Sequence, residues 1–525
     1  MNIVRSRYTR LLSLCLWLAG TCVAEPPAWF DENGPTPAVQ QAIEVLAHAD
    51  ADGLEVRDYG VERLRAMFAA LRGDDETLDT ERQNHFASEL TAAMTRYLND
   101  LHHGRLDPRR LGVNYPRANN EFDTESWLSA AVSENRLPRA IAEVVPAYPQ
   151  YPALIAELAR YRKLIGDPAW RNPLSPLPGG KILPGQSYAD LARLGKRLQQ
   201  LGDLTTETTP PNRYEGALID GIKSFQERHA LPTDGVLGSG TLFQLNVPPE
   251  VRVRQIELAL ERLRWTPSLD DRRHIVVNIP EFTLRAYEFR DGRSRPVLKM
   301  RVIVGKVGKT ATPLFYTEMR VVEFSPNWNV PPSIAKGETL PRLRRDPGYL
   351  QRAGMEFVAA DGKVAAEYSS ANLDAVERGQ LRLRQKPSRG NALGQIKFIL
   401  PNTDGIYLHH TPTPQLFRRE RRDLSHGCVR VEAPVDLASF VLADQPTWTR
   451  ERIVKAMERG KSSFATLRDP LPVIVTYSSA VYRDRRLYFF PDIYEQDRHL
   501  AQALQHHANN VKALSNTRAV KNFMH

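Results

Sequence analysis

The sequence predicts a multidomain α+β protein: a helical scaffold, a small three-helix module and a β-rich domain with a helical insertion. Three observations predict it. At 525 residues the chain is too long for one ordinary core and suggests about three domains. Apolar residues recur at helical spacing up to about residue 170, whereas from His274 onward they recur at a period of two. Between these regions Asn172–Gly180 is rich in proline and glycine and breaks the chain. Hydrophobic content of 42% and charged content of 25% exclude a disordered chain.

The first residues, MNIVRSRYTR, carry three arginines and no acid, followed by the apolar LLSLCLWLAG and small residues through Ala24. This is the pattern of a secretory signal peptide over 1–24, cut after Ala24, with a retained membrane anchor as the alternative. Its loss would lower the formal net charge from +10 to +7, which suits a carboxylate-bearing partner. No zinc-finger or RNA-binding motif argues for nucleic acid. Loss of Cys15 and Cys22 would leave Cys428 as the mature chain's one cysteine. A lone thiol in an oxidising compartment is a liability unless it is used.

Residues 30–172 read as the helical scaffold, from the apolar spacing in Val39–Leu46 and Phe86–Met94. The segment Asp50–Gly60 reads as a polar connection, and one helix ends at Gly104 with His102 and His103 set against its dipole. Residues 185–248 form the next unit, with helices over Tyr188–Gly202, Ala217–His229 and about Thr241–Leu245 and a turn at Asp234-Gly235. A connecting helix spans about 249–267.

In the β-rich domain, residues 270–480, strands are expected at Ile275–Ile279, Thr283–Tyr287, Lys299–Gly305, Met319–Phe324, Gly394–Leu400, Gly405–His409 and Val473–Tyr477. A further strand is expected at Arg486–Phe490, and Asp291-Gly292 supplies a hairpin turn. Between 333 and 392 the pattern lapses into charged, helix-like sequence, an insertion large enough to be functional. The segment 497–525 reads as a helical or frayed tail.

The chemistry concentrates at Ser425-His426-Gly427-Cys428-Val429-Arg430, with His409-His410-Thr411 some fifteen residues upstream. Cysteine chemistry needs a thiolate, hence a base within reach or a positive environment. Strand alternation puts Tyr407 and His409 on one face and Leu408 and His410 on the other, so one histidine alone faces the thiol. Gly427 permits the sharp turn that would expose its own and the Cys428 N–H as oxyanion donors. Arg430 offers a forked donor to a carboxylate, and Ser425 a hydrogen bond within the loop. The run Phe417–Asp423 is either a carboxylate attractor or a solvated, charge-mixed loop. A zinc site of His409, His426 and Cys428 fits no trusted spacing, and a papain-like enzyme would place its cysteine before its histidine.

These motifs, with Thr312-Pro313 and Pro326–Pro331 ahead of them, resemble the L,D-transpeptidases with a YkuD-type catalytic domain. Phe225-Gln226, Asp234-Gly235, Gly238 and Thr241 resemble the peptidoglycan-binding module. The whole order resembles the large Gram-negative class, in which the 333–392 insertion is a capping subdomain over the cleft. The resemblance implies a periplasmic enzyme making 3→3 peptidoglycan cross-links through a cysteine thioester, releasing D-alanine from a tetrapeptide donor. It implies Cys428 as nucleophile, His409 as base with His410 as second candidate, and His426 and Gly427 completing the catalytic set. Ser425, Arg430, Tyr407 and Trp328 are the implied substrate-binding residues. No metal or cofactor is implied. The implied partners are donor and acceptor stem peptides, with glycan strands on 185–248 and cell-wall synthases or hydrolases as further candidates. A carboxypeptidase, a lipoprotein-anchoring or 1→3 cross-linking enzyme, or a non-catalytic wall-binding protein are the alternatives.

Overall fold

The helix Pro249–Trp265 ties the molecule together because it is buried on more than one side. Val253, Ile256, Ala259 and Leu260 enter one hydrophobic core, whereas Leu258 and Trp265 enter another. The computed structural model describes residues 26–71, 80–116, 122–205, 212–267, 269 and 272–522, with side chains to 510. The expected signal peptide lies outside the described residues. Among them, no helix is long and apolar enough to cross a membrane.

The scaffold core gathers residues from Trp29 to Val144, including Phe86, Leu90 and Leu98 of the long helix Thr80–His103. Gly104 ends that helix in a left-handed turn at a φ of +80°, where a β-carbon would lie 2.5 Å from the Trp265 indole nitrogen. His102 does more than sit at a helix end, since its Nδ1 lies 2.9 Å from the Val144 carbonyl. The scaffold expected over 30–172 is not one core, because the helix Gln150–Arg162 packs with the following module.

That module contains the helices Leu191–Gln200, Ala217–Arg228 and Ser239–Leu245. The proline-rich break before it is pinned by Arg197, which is buried and donates to the carbonyls of Ala169, Asn172 and Leu245 at 2.8, 2.6 and 2.7 Å. The expected strand at Arg486–Phe490 belongs here too. Ala480–Arg483 and Arg486–Phe489 form a separate hairpin whose Leu487 and Phe489 enter the module's core. Arg228, paired with buried Asp203, donates to the Leu487 carbonyl at 2.7 Å.

The sheet of the β-rich domain has nine strands in the order Asp423–Ser425, Arg293–Gly305, Val429–Val431, Leu408–His409, Ile396–Ile399, Phe315–Phe324, Ser463–Thr476, His274–Asn278, Thr283–Arg290. Thr283–Arg290 also pairs with Arg293–Gly305, so the sheet closes on itself. Asp291 and Gly292, both at positive φ, make that hairpin's two-residue turn.

The insertion is more than helical. It is built on a four-stranded sheet of Val364–Ala365, Met355–Ala359, Leu381–Gln385 and Trp328–Asn329, with its own core around Leu343, Phe357 and Leu383. Buried Asn391 fastens its base, donating to the carbonyls of Pro326 and Lys386 at 3.2 and 3.0 Å. The terminal segment is helical over Gln496–Asn522, and its first turns are not a tail: Leu500 and Leu504 join the core of the β-rich domain and Asp497 pairs with Arg262 at 2.5 Å.

Candidate active site

Strand register assembles the site. Leu408 is the parallel partner of Val429 and His409 of Arg430, so Tyr407 and Cys428 stand side by side one step earlier. Leu408 and Val429 are fully buried in the core, which turns Tyr407, His409, Cys428 and Arg430 together to the opposite face. Lys397, the antiparallel partner of His409, shares that face, as does Glu323, the partner of Lys397.

Cys428 is half-buried. Burial pushes its thiol above the usual cysteine range, opposed by hydrogen bonds from the Tyr407 backbone and hydroxyl and by the charges of Lys397 and Arg430. The thiol also lies 3.9 Å from the Gly405 carbonyl. Tyr407 in turn accepts from the Trp328 indole, so a residue of the insertion's sheet reaches Cys428 through one side chain.

His409 is buried, and desolvation plus the Arg430 charge lower its pKa to about 3, with the carbonyls of His410 and Leu393 pulling weakly the other way. Among the described residues its Nδ1 has no hydrogen-bond partner. The ring stands 5.6 Å from that of Tyr407, edge to face. His410 is engaged elsewhere: its Nδ1 accepts from the Gln395 N–H at 3.3 Å, and its ring lies against Gly394. Arg430 is half-buried, its guanidinium pKa lowered by burial, and among the described residues its Nε also lacks a partner.

The loop itself is internally stapled. Buried Ser425 donates from Oγ to the Cys428 carbonyl at 2.6 Å and accepts from the Gly427 N–H at 3.2 Å. Ser425 Oγ is thus engaged within the loop. It also occupies one of the two amides read as oxyanion donors. Gly427, at a φ of +115°, offers its carbonyl to Thr312 Oγ1 at 2.7 Å. The same hydroxyl accepts from the Gly305 N–H at 2.8 Å, and Tyr494 donates to the Gly305 carbonyl. A β-carbon at Gly305 would sit 1.9 Å from the Thr310 carbonyl, so only glycine allows this close return of the chain. Thr312 was legible as part of a Thr-Pro pair; Tyr494, 66 residues beyond the cysteine, carried no local signal.

His426 turns toward the cap. Its Nε2 lies 2.6 Å from Glu338 Oε1, an exposed pair bridging the active-site loop and the insertion. The contact ties the loop to the insertion. In the run Phe417–Asp423, Arg421 pairs with Asp423 at 2.7 Å and Arg422 stacks on Phe282, which leaves Arg418 and Arg419 exposed.

Residues 272–463 match the YkuD family model, described as "L,D-transpeptidase catalytic domain". Over that stretch the chain is similar to YkuD-type L,D-transpeptidase catalytic domains. Residues 24–158 match "Scaffold domain" and residues 187–245 match "Putative peptidoglycan binding domain". A Haemophilus influenzae (strain ATCC 51907 / DSM 11121 / KW20 / Rd) protein named "Putative L,D-transpeptidase" is 34% identical over 248 residues, 47% of this chain and 49% of that one. The chain thus spans about half the length of that curated relative. Among solved structures, the L,D-transpeptidase of Xylanimonas cellulosilytica DSM 15894 is 16% identical with a TM-score of 0.18, covering 57% of this chain and 100% of that one. Bdellovibrio bacteriovorus Bd1075 is 14% identical with a TM-score of 0.16, covering 45% of this chain and 56% of that one.

Proposed function

We propose that this chain is a periplasmic L,D-transpeptidase that forms 3→3 cross-links in peptidoglycan through a Cys428 thioester. The observation that carries the reading is the convergence of Cys428, Tyr407, His409 and Arg430 on one face, with buried His409 Nδ1 and Arg430 Nε left without partners. Buried polar atoms without partners are costly and rare, and a substrate supplies what the fold withholds.

The electrostatics favour a neutral thiol and a neutral imidazole at rest, not a preformed ion pair. His409 then acts as a general base, taking the Cys428 proton as sulfur attacks the carbonyl of diaminopimelate in a tetrapeptide donor. The developing oxyanion is met by the Cys428 N–H, since the Gly427 N–H is already held by Ser425. The bond from that carbonyl to the D-alanine nitrogen breaks, the amine leaves with the proton from His409, and a thioester remains. The side-chain amine of a second stem attacks the thioester and gives its proton to His409. The carbon–sulfur bond breaks and the thiol is restored. Arg430 anchors a substrate carboxylate beside the nucleophile, and Trp328 lines the approach from the cap. Residues 185–248 would hold glycan, and a carbapenem would acylate the same sulfur.

The test is to incubate the mature protein with disaccharide-tetrapeptide and record intact mass and muropeptide products beside Cys428→Ala. A cysteine-dependent cross-linked dimer with loss of one D-alanine is expected. Tripeptide without dimer would make the enzyme a carboxypeptidase, and no product with no acyl adduct would leave a wall-binding protein.

A further inference from the structure

One cation on the site face has no part in the chemistry above. Lys397 sits in Ile396–Ile399, the strand next to Leu408–His409, and its register partner is His409. A transverse row therefore runs Arg430, His409, Lys397, Glu323 across four neighbouring strands. Strands lie about 4.8 Å apart, so the two cations bracket the base at roughly 10 Å from one another.

Lys397 is half-buried and forms no ion pair among the described residues. Glu323, the carboxylate next in the row, is buried and accepts from Ser462 Oγ at 2.9 Å. The Lys397 ammonium instead lies over the Tyr407 ring, 4.3 Å from its centroid. That ring carries the hydroxyl that hydrogen-bonds Cys428. A cation–π contact replaces only part of the hydration an ammonium gives up. The fold thus holds a partly desolvated positive charge beside the nucleophile, on the side of the base opposite Arg430, with its hydrogen-bond donors uncommitted to any carboxylate.

We infer that Lys397 is a second carboxylate receptor of the site, which selects donor stems by an anionic group on the flank of the scissile bond away from Arg430. The inference rests on the transpeptidase reading. A tetrapeptide donor offers two such groups near the reacting carbonyl: the terminal carboxylate of the leaving D-alanine and the side-chain carboxylate of diaminopimelate. Both are the same chemistry to an ammonium, and amidation of each in turn tells them apart.

The experiment compares kcat/KM for three donors, unmodified, terminally amidated and side-chain amidated, in wild type, Lys397→Gln and Lys397→Arg, with melting temperature recorded for each protein. In wild type one amidation is expected to cost about tenfold, the scale of one charge-assisted hydrogen bond. In Lys397→Gln that ratio should collapse toward one, and Lys397→Arg should restore most of it. A parallel fall for all three donors in Lys397→Gln would make the residue merely structural and overturn the inference, as would a wild type indifferent to both amidations. Those results would leave transpeptidation standing. Absence of Cys428-dependent turnover of even the unmodified donor would sink both.

Discussion

Two regions of this molecule bury polar side chains, and they finish the task differently. At the joint between scaffold and connecting helix, Arg264 reaches Glu261 at 3.3 Å and the Tyr151 hydroxyl at 2.8 Å, with side-chain exposures of 0% and 2% for the ion pair. Glu261 also accepts from the N–H of Arg105 at 2.7 Å, Tyr59 donates to Asp100 at 2.9 Å and Tyr97 to Asp52 at 2.7 Å. Arg105 pairs with Asp58, and its Nε is the cluster's one buried side-chain atom without a partner among the described residues. On the face that carries Cys428, among the described residues, His409 and Arg430 both keep unpartnered nitrogens and Lys397 pairs with no carboxylate. The joint thus leaves one such atom amid many satisfied ones, whereas the face that carries Cys428 leaves two on neighbouring strands.

Exchanging the arginines tests this contrast most strongly. Arg264→Met strips the partner from buried Glu261 and should cost about 3–5 kcal/mol, read as a lower midpoint in urea. Arg430→Met removes a partly desolvated charge that no carboxylate offsets, so the midpoint should move by less than about 1 kcal/mol or rise. Its cost should appear in turnover, at about a hundredfold or more in kcat/KM for the tetrapeptide donor. If Arg430→Met proved the more destabilising of the two, the division into a paired joint and an open site would be wrong.

A smaller effect is expected from Tyr407→Phe, which deletes the hydroxyl between Trp328 and Cys428 while leaving the ring under Lys397. The thiol loses a donor that favours its thiolate, so its titration should move further upward. Iodoacetamide alkylation at pH 7 should slow by up to about tenfold. An unaltered alkylation profile would remove Tyr407 from the activation of Cys428 and leave it a packing residue.

The catalytic face was largely legible because its residues are close in sequence or linked by period-two alternation. Tyr407 and His409 are two apart, as are Cys428 and Arg430, and an odd-even count puts each pair on one face. The joint was not legible. In Pro249–Trp265 the charges Glu261 and Arg264 look like the solvated side of an amphipathic helix, because nothing local reports that Tyr151 and Gly104 close over them. The Asp50–Gly60 stretch read as a polar connection for the same reason, though it delivers Asp52, Asp58 and Tyr59 to the cluster. Leu381–Gln385 alternates as a strand does, but its two arginines make it look like part of the charged, helix-like insertion. The His426–Glu338 tie joins residues 88 apart, beyond the reach of any local pattern.

The finest test uses pH, because the two regions each bury a titratable group out of line with its unfolded state, in opposite senses. His409 falls from 6.5 to about 3, so between those values the unfolded chain binds the extra proton. Its contribution to stability is complete above pH 6.5 and is lost as pH falls toward 3. Asp100 rises from 3.8 to about 7, mainly through burial, so there the folded chain holds the extra proton. Its contribution is complete below pH 3.8 and is lost as pH rises through 7. Each slope is at most about 1.4 kcal/mol per pH unit. Relative to wild type, His409→Asn should therefore flatten the loss of stability on the acid side, and Asp100→Asn, which keeps an acceptor for Tyr59, should flatten the loss toward pH 8. Urea midpoints taken from pH 4 to pH 8 separate the two. If both substitutions tilted the profile the same way, the joint and the catalytic face would not differ in the sign of their proton linkage, and Asp100 would be an ordinary ionised partner in the cluster.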